Sequence, residues 1–177
     1  VTEKAPYASH RTENLTEQAM GRLAKLAAER ALTADQVAAS KWLSGRSIED
    51  PVRERQVLEG MDAQARELGV DRALVQEFFK DQIEANKLIQ YGLHEYWRNN
   101  PAAAPMQGPD LDQVRVEINR INAGMLTAIR EYQPLLSESR CAAAVARAHS
   151  QVAENMKLDE LHKKGLRRAL QGLCATP

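Results

Sequence analysis

The stretch from Asp71 to Trp97 constrains this chain more than any other. Val75, Phe79, Gln82, Asn86, Ile89 or Gln90, Leu93 and Trp97 recur at three- and four-residue spacing, with no proline between them. That period belongs to one face of a long helix. Three amides, Gln82, Asn86 and Gln90, interrupt a face that is otherwise apolar.

The rest of the chain agrees with a helical reading. Only 5% of the residues are aromatic, Val, Ile and Thr are sparse, and Ala, Leu, Glu, Gln, Lys and Arg dominate; these residues lose least on entering a helix. The expected fold class is all-α, a single-domain bundle of about six helices over residues 1–177, with 1–13 flexible. A chain of 177 residues can bury an ordinary hydrophobic core without a metal to staple it.

Local signals divide the bundle. Leu15, Ala19, Leu23 and Leu26 form a helix face whose next member is Arg30, so a cation ends an apolar stripe. Thr33 and Gln36 resemble a capping box, which predicts a second, short helix carrying Val37, Lys41 and Trp42 as far as Gly45. Asp50 followed by Pro51 predicts a helix start, and that helix should reach Gly69 with Arg53, Val57, Met61 and Leu68 on its buried stripe. Residues 99–109 contain three prolines and predict a surface loop between two helical halves. Asp110 should cap a helix with Leu111, Val114, Ile118, Ile121, Met125 and Ile129 on one face and Arg115 beside it. Two further helices follow, one with Cys141, Val145, His149 and Val152, the other starting near Asp159 and running through Leu161, Leu166, Leu170 and Leu173 to Cys174.

Charge and cysteine usage narrow the possible partners. Twenty-four basic residues balance twenty-four acidic ones, so no net field draws the chain to nucleic acid or to an anionic membrane. No run of about 18 apolar residues is present. The first residues, Val1 to His10, read as neither a signal peptide nor an anchor, which suits a mature form whose export signal has been removed. Cys141 and Cys174 are not a CxxC pair and have no metal-ligand cluster near them. One structural disulfide is the economical reading and would place the protein outside the cytoplasm; two buried free thiols are the other.

Most catalytic signatures are missing. His10, His94, His149 and His162 are scattered, and the sequence holds no HExxH, no GxSxG and no glycine-rich phosphate loop, which argues against hydrolase, kinase and metalloenzyme chemistry. His149 on an apolar face reads as a packed or capping residue, and the run His162, Lys163, Lys164, Arg167 and Arg168 as a solvated basic face. What stands out is a set of cations, Arg30, Lys41, Arg53 and Arg115, on or beside core-facing stripes. Each alone reads as a snorkelling or salt-bridged side chain. Converging, the four would need anions, and a small ligand with two carboxylates would supply them.

At this point the residues become specific. Ala28-Glu29-Arg30, Val37-Ala38-Ala39-Ser40-Lys41-Trp42, Ile48-Glu49-Asp50-Pro51-Val52-Arg53-Glu54-Arg55 and Asp81-Gln82-Ile83-Glu84-Ala85-Asn86 together resemble the all-helical chorismate mutases. Asn99-Asn100-Pro101 after Trp97, Pro109-Asp110-Leu111 and the late cysteine pair resemble the exported subclass of that family. The resemblance covers roughly residues 14 to 174.

The resemblance implies cofactor-free, metal-free rearrangement of chorismate to prephenate by a periplasmic or secreted homodimer. Carried over by position, Arg30 and Arg53 would hold substrate carboxylates. Arg115 would supply within the chain an arginine that short cytoplasmic members borrow from a neighbouring subunit. Lys41 and Gln90 would be the catalytic pair, donating hydrogen bonds to the ether oxygen as its bond to carbon breaks. Asp50 and Glu54 would orient the substrate hydroxyl and neighbouring groups, and Asn86 stands where a small hydroxyl residue is common. The competing expectation is an exported helical protein that binds an anionic metabolite or partner without catalysis.

Overall fold

Among the described residues, six α-helices follow in the order α1 (Pro6–Ser44), α2 (Pro51–Leu68), α3 (Arg72–Asn99), α4 (Leu111–Tyr132), α5 (Cys141–Asn155) and α6 (Glu160–Ala169), with 3-10 turns at Pro101–Ala103 and Gln133–Ser137. This computed structural model describes residues 6–174, and among them no strand occurs. Of the segment expected to be flexible, residues 1–5 lie outside the described residues, and residues 6–13 are already part of α1.

The first helix is the axis of the molecule. Its 39 residues span roughly 58 Å at 1.5 Å per residue, and α3, α4, α5 and α6 all pack against it. Ala19, Ala24, Ala27, Ala28, Ala34 and Ala38 are buried along it. An alanine side chain ends one carbon from the backbone, so neighbouring helices approach α1 closely on several sides. Larger side chains then complete the core: Met20 and Leu23 on α1, Phe78 and Phe79 on α3, Met125, Leu126 and Ile129 on α4, and Leu166 on α6. Full burial of each such side chain stabilises the fold by about 1.5–3 kcal/mol.

The expected helix start at Thr33 does not exist. Thr33 is buried, and its hydroxyl donates to the carbonyl oxygen of Arg30 at 2.6 Å, satisfying itself inside the helix rather than capping a new one. Between Arg30 and Ser44 there is neither proline nor glycine, so nothing interrupts the backbone ladder. The helix ends at Gly45, whose φ of +72° is open to glycine at little cost.

The helix starts expected at Asp50, Asp71 and Asp110 are present, each with an aspartate as its cap. The Asp50 carboxylate accepts from the Arg53 amide at 3.1 Å, Pro51 opens α2, and Gly69 at φ +68° closes it. Asp71 accepts from the amides of Ala73 and Leu74, and Asp110 from that of Asp112. Of the buried stripe expected on α2, Met61 is buried and Arg53 and Val57 are half-buried, whereas Leu68 is 37% exposed and Ala65, a turn beyond Met61, is fully buried. Leu68 lies in the last turn, just before Gly69 reverses the chain.

The second half wraps the first. Gln82 on α3 donates to the carbonyl oxygen of Ala169 at 2.8 Å, and at Gly165 a Cβ would run into Ile89, so α6 lies close against α3. Cys141 and Cys174 form a disulfide, joining the start of α5 to the chain after α6. The helical part of α6 ends at Ala169, and Leu170 to Gly172 form a turn that leads to Leu173 and Cys174. His149 is a packing residue, donating through Nε2 to the carbonyl oxygen of Lys163 at 3.0 Å. His162 corrects the expectation of a solvated face. It is buried, with Nε2 2.6 Å from Asp35 of α1 and Nδ1 2.7 Å from Asp159, because Asp159 caps α6 and turns the first residues of that helix towards α1.

Candidate active site

One pocket lies where α1, α2, α3 and α4 meet. On α1, Arg30, Val37 and Lys41 share a face at seven- and four-residue spacing. Ile48 and Asp50 come from the connection to α2; Arg53, Glu54 and Val57 from the first turns of α2; Asn86, Lys87 and Gln90 from α3; Leu111, Arg115 and Ile118 from α4. The structure therefore brings Arg30, Lys41, Asp50, Arg53, Glu54, Asn86, Gln90 and Arg115 together around one cavity within one chain.

The cations are held by neutral groups as much as by acids. Arg30 is buried, donating through Nε to Oδ1 of Asn122 at 2.8 Å and through Nη1 to the carbonyl oxygen of Gln82 at 3.2 Å. Burial, and then the nearby Arg53, bring its pKa down to about 10. Lys41 donates to the carbonyl oxygen of Ile48 at 2.7 Å; burial lowers its pKa, while Asp50 and Glu54 pull the other way. Arg53 reaches Oδ1 of Asn119 at 3.2 Å, and burial followed by repulsion from Arg115 lowers its pKa too. Arg115 pairs with Asp50 at 3.6 Å and with Asp112 at 3.9 Å.

The acids have fixed places. Asp50 caps α2 while its own amide donates to Glu54 at 3.1 Å, so the connection and the helix start are tied together. Glu54 also meets Lys87 at 3.0 Å, and Lys87 reaches Glu49 and Glu84 at 2.9 Å each. Burial works against the Lys87 charge, but these carboxylates outweigh it and raise its pKa. On α3, Gln90 donates to Asn86 at 2.6 Å and Asn86 to Thr33 at 3.4 Å.

Several of these residues carry no signal that periodicity could separate from surface charge. Lys87 follows Asn86 with Glu84 one turn back, the pattern of an exposed helical ion pair. Asn122 did leave a trace: it falls on the stripe of Ile118, Met125 and Ile129, an amide at a core position. Asn119 is one turn before it.

Chemically, the pocket offers convergent cationic donors, two carboxylates and an apolar wall from Val37, Ile48, Val57, Ile83, Leu111 and Ile118. Among the described residues, no group of three or more His, Cys, Asp or Glu side chains is arranged to hold a metal. Such a cavity suits a compact molecule with two anionic groups on an apolar frame.

Fold and pocket together define an all-helical protein whose single chain encloses a cation-lined pocket. The comparisons are specific within that class. The description of chorismate mutase type II matches residues 21–91, a stretch that includes every expected site residue but Arg115. The chain is 38% identical over 155 residues to a secreted chorismate mutase of Mycobacterium tuberculosis, covering 88% of this chain and 78% of the relative. It is 35% identical over 152 residues to a secreted chorismate mutase of Mycolicibacterium smegmatis, covering 86% and 84%. A crystal structure of chorismate mutase from Burkholderia phymatum superposes with a TM-score of 0.85 at 36% identity, over 91% of this chain and 99% of that one. The chain belongs to the all-helical chorismate mutase family.

Proposed function

We infer that the protein is an exported chorismate mutase, rearranging chorismate to prephenate in this pocket without a cofactor. The observation that carries this reading is the company Lys41 and Gln90 keep: both line the cavity that also holds Arg30, Arg53 and Arg115 in the same chain.

The reaction is unimolecular. A carbon–oxygen bond of the enolpyruvyl ether breaks while a carbon–carbon bond forms, so no nucleophile or external base is required. The arginines hold the two carboxylates so that the reacting ends meet, and that orientation lowers the barrier. Lys41 and the second N–H of the Gln90 amide donate to the ether oxygen, where negative charge collects in the transition state. Asp50 and Glu54 accept from the substrate hydroxyl and set the ring in register, and Asn86 holds Gln90 in place. An acceleration of roughly a millionfold, about 8 kcal/mol, lies at the lower end of enzyme performance.

The relatives named as secreted, together with a disulfide that persists in oxidising surroundings, support a periplasmic or secreted location. The relatives named as chorismate mutases support a small-molecule substrate, and balanced charge gives no net field to draw nucleic acid. The working unit is a homodimer of single-domain chains, residues 1–177, each with its own site.

The test is loss of chorismate ultraviolet absorbance on addition of the oxidised protein, with acid conversion of the product to phenylpyruvate. Turnover that disappears in a folded Lys41→Ala variant is the expected result. Silence from folded wild type would overturn the reading and leave an anion-binding protein.

A further inference from the structure

Arg30 is a buried guanidinium to which, among the described residues, no carboxylate is paired within salt-bridge distance. Its side chain meets two neutral oxygens instead, Oδ1 of Asn122 and the backbone carbonyl of Gln82, and its strongest charged neighbour is another cation, Arg53. A buried charge left in this condition costs folding free energy. The arrangement is built rather than accidental, since Asn122 is itself 2% exposed and comes from a helix 92 residues further along the chain. One turn earlier on α4 the exposed Asn119 also accepts from an arginine, Arg53. Arg115 lies another turn back on that helix.

We propose that Asn122 is a positioning residue that fixes the plane of the Arg30 guanidinium without neutralising it, so that the charge of Arg30 stays available to a substrate carboxylate. The inference rests on the chorismate mutase reading for the identity of that carboxylate. A hydrogen bond from Nε to a neutral amide fixes the direction of the fork and leaves the Nη2 edge as donor to the pocket. An aspartate in the same place would fix the fork equally well, but it would also satisfy the charge within the protein. The substrate would then compete with an internal carboxylate that never leaves. The amide therefore trades stability for affinity, and the two quantities move in opposite directions when it is changed.

That opposition separates the proposal from a simple packing role. Asn122→Asp keeps the shape of the side chain and adds a charge-assisted bond to a buried arginine. The expected outcome is a higher thermal midpoint together with a KM for chorismate raised roughly tenfold to a hundredfold, with kcat within a few fold, because Arg30 grips its carboxylate alike in ground and transition states. Asn122→Leu removes the acceptor at similar volume and should lower the midpoint and raise KM together. An unchanged KM in Asn122→Asp, or a midpoint and kcat that fall together in that variant, would overturn the proposal. Wild type that is folded but turns over no chorismate would instead sink the functional reading, and the role assigned to Asn122 with it. The two failures are distinguished by the wild-type assay alone.

Discussion

Gln90 donates through Nε2 to Oδ1 of Asn86, one helical turn back on α3, at 2.6 Å. That bond fixes the amide of Gln90 within the pocket and leaves Oε1 as a buried oxygen without a partner among the described residues. A neutral amide donates at any pH, so wild-type turnover is expected to stay level between pH 5 and pH 8.

Gln90→Glu should break that independence. A carboxylate would face the Asn86 oxygen and the ether oxygen as acceptor against acceptor, and only its protonated form can donate. The expected result is a kcat/KM that falls as pH rises, by about a hundredfold once the acid is fully ionised, with the fold intact by circular dichroism. A flat profile in the variant would argue against Gln90 as a donor.

Because Arg30, Arg53 and Arg115 line one cavity in one chain, inactive subunits should not rescue one another. Arg30→Ala and Arg115→Ala should each cost about 2–5 kcal/mol in kcat/KM, the usual penalty for truncating a charge partner in a desolvated pair. Unfolding the two variants together and refolding the mixture should restore no turnover. Recovery towards a fixed fraction of wild type would mean that the site is shared between subunits.

His162 makes stability depend on pH in a direction that can be stated beforehand. Hydrogen bonding to Asp35, then the bond to Asp159, outweighs burial and raises its pKa from 6.5 to about 9. A histidine bound more tightly to its proton in the folded state stabilises fully below pH 6.5, and that contribution is lost as pH rises through about 9. Asp35 and Asp159 are partly exposed, at 49% and 67%, so solvent screens the pair and about 1 kcal/mol is expected at neutral pH. Denaturant unfolding of His162→Gln should show that deficit at pH 6 and a much smaller one at pH 10.

The disulfide closes a loop between residues 33 apart in sequence, worth about 3–4 kcal/mol in the chain-entropy model. It clasps α5 to the end of the chain, whereas the pocket is built by α1 to α4. Cys141→Ser/Cys174→Ser should therefore lower the thermal midpoint while retaining most wild-type turnover at 25 °C. Equal loss of both would show that the clasp also shapes the site.

How far the sequence reached depended on how local each signal was. The caps at Asp50-Pro51 and Asp110 were legible because an N-cap is settled among residues two or three apart, and α2 and α4 begin where those caps predict. Arg30, Lys41 and Arg53 were legible as cations beside apolar stripes, since a helical period projects them onto a face whatever that face meets. The cysteine pair was legible as the more economical of two readings. The same local reading failed at Thr33. Its spacing to Gln36 imitates a capping box, whereas Thr33 is buried within an unbroken helix with its hydroxyl turned back to Arg30.

Tertiary structure decided the partners. Arg30 meets Asn122, Lys87 meets Glu49 and Glu54, and His162 meets Asp35 across separations of 92, 38, 33 and 127 residues. The physical reason is that helical periodicity specifies which face a side chain occupies, not which other face will be packed against it. That choice is made when alanine-lined α1 lets its neighbours close in, and it is there that four separate cations become one site.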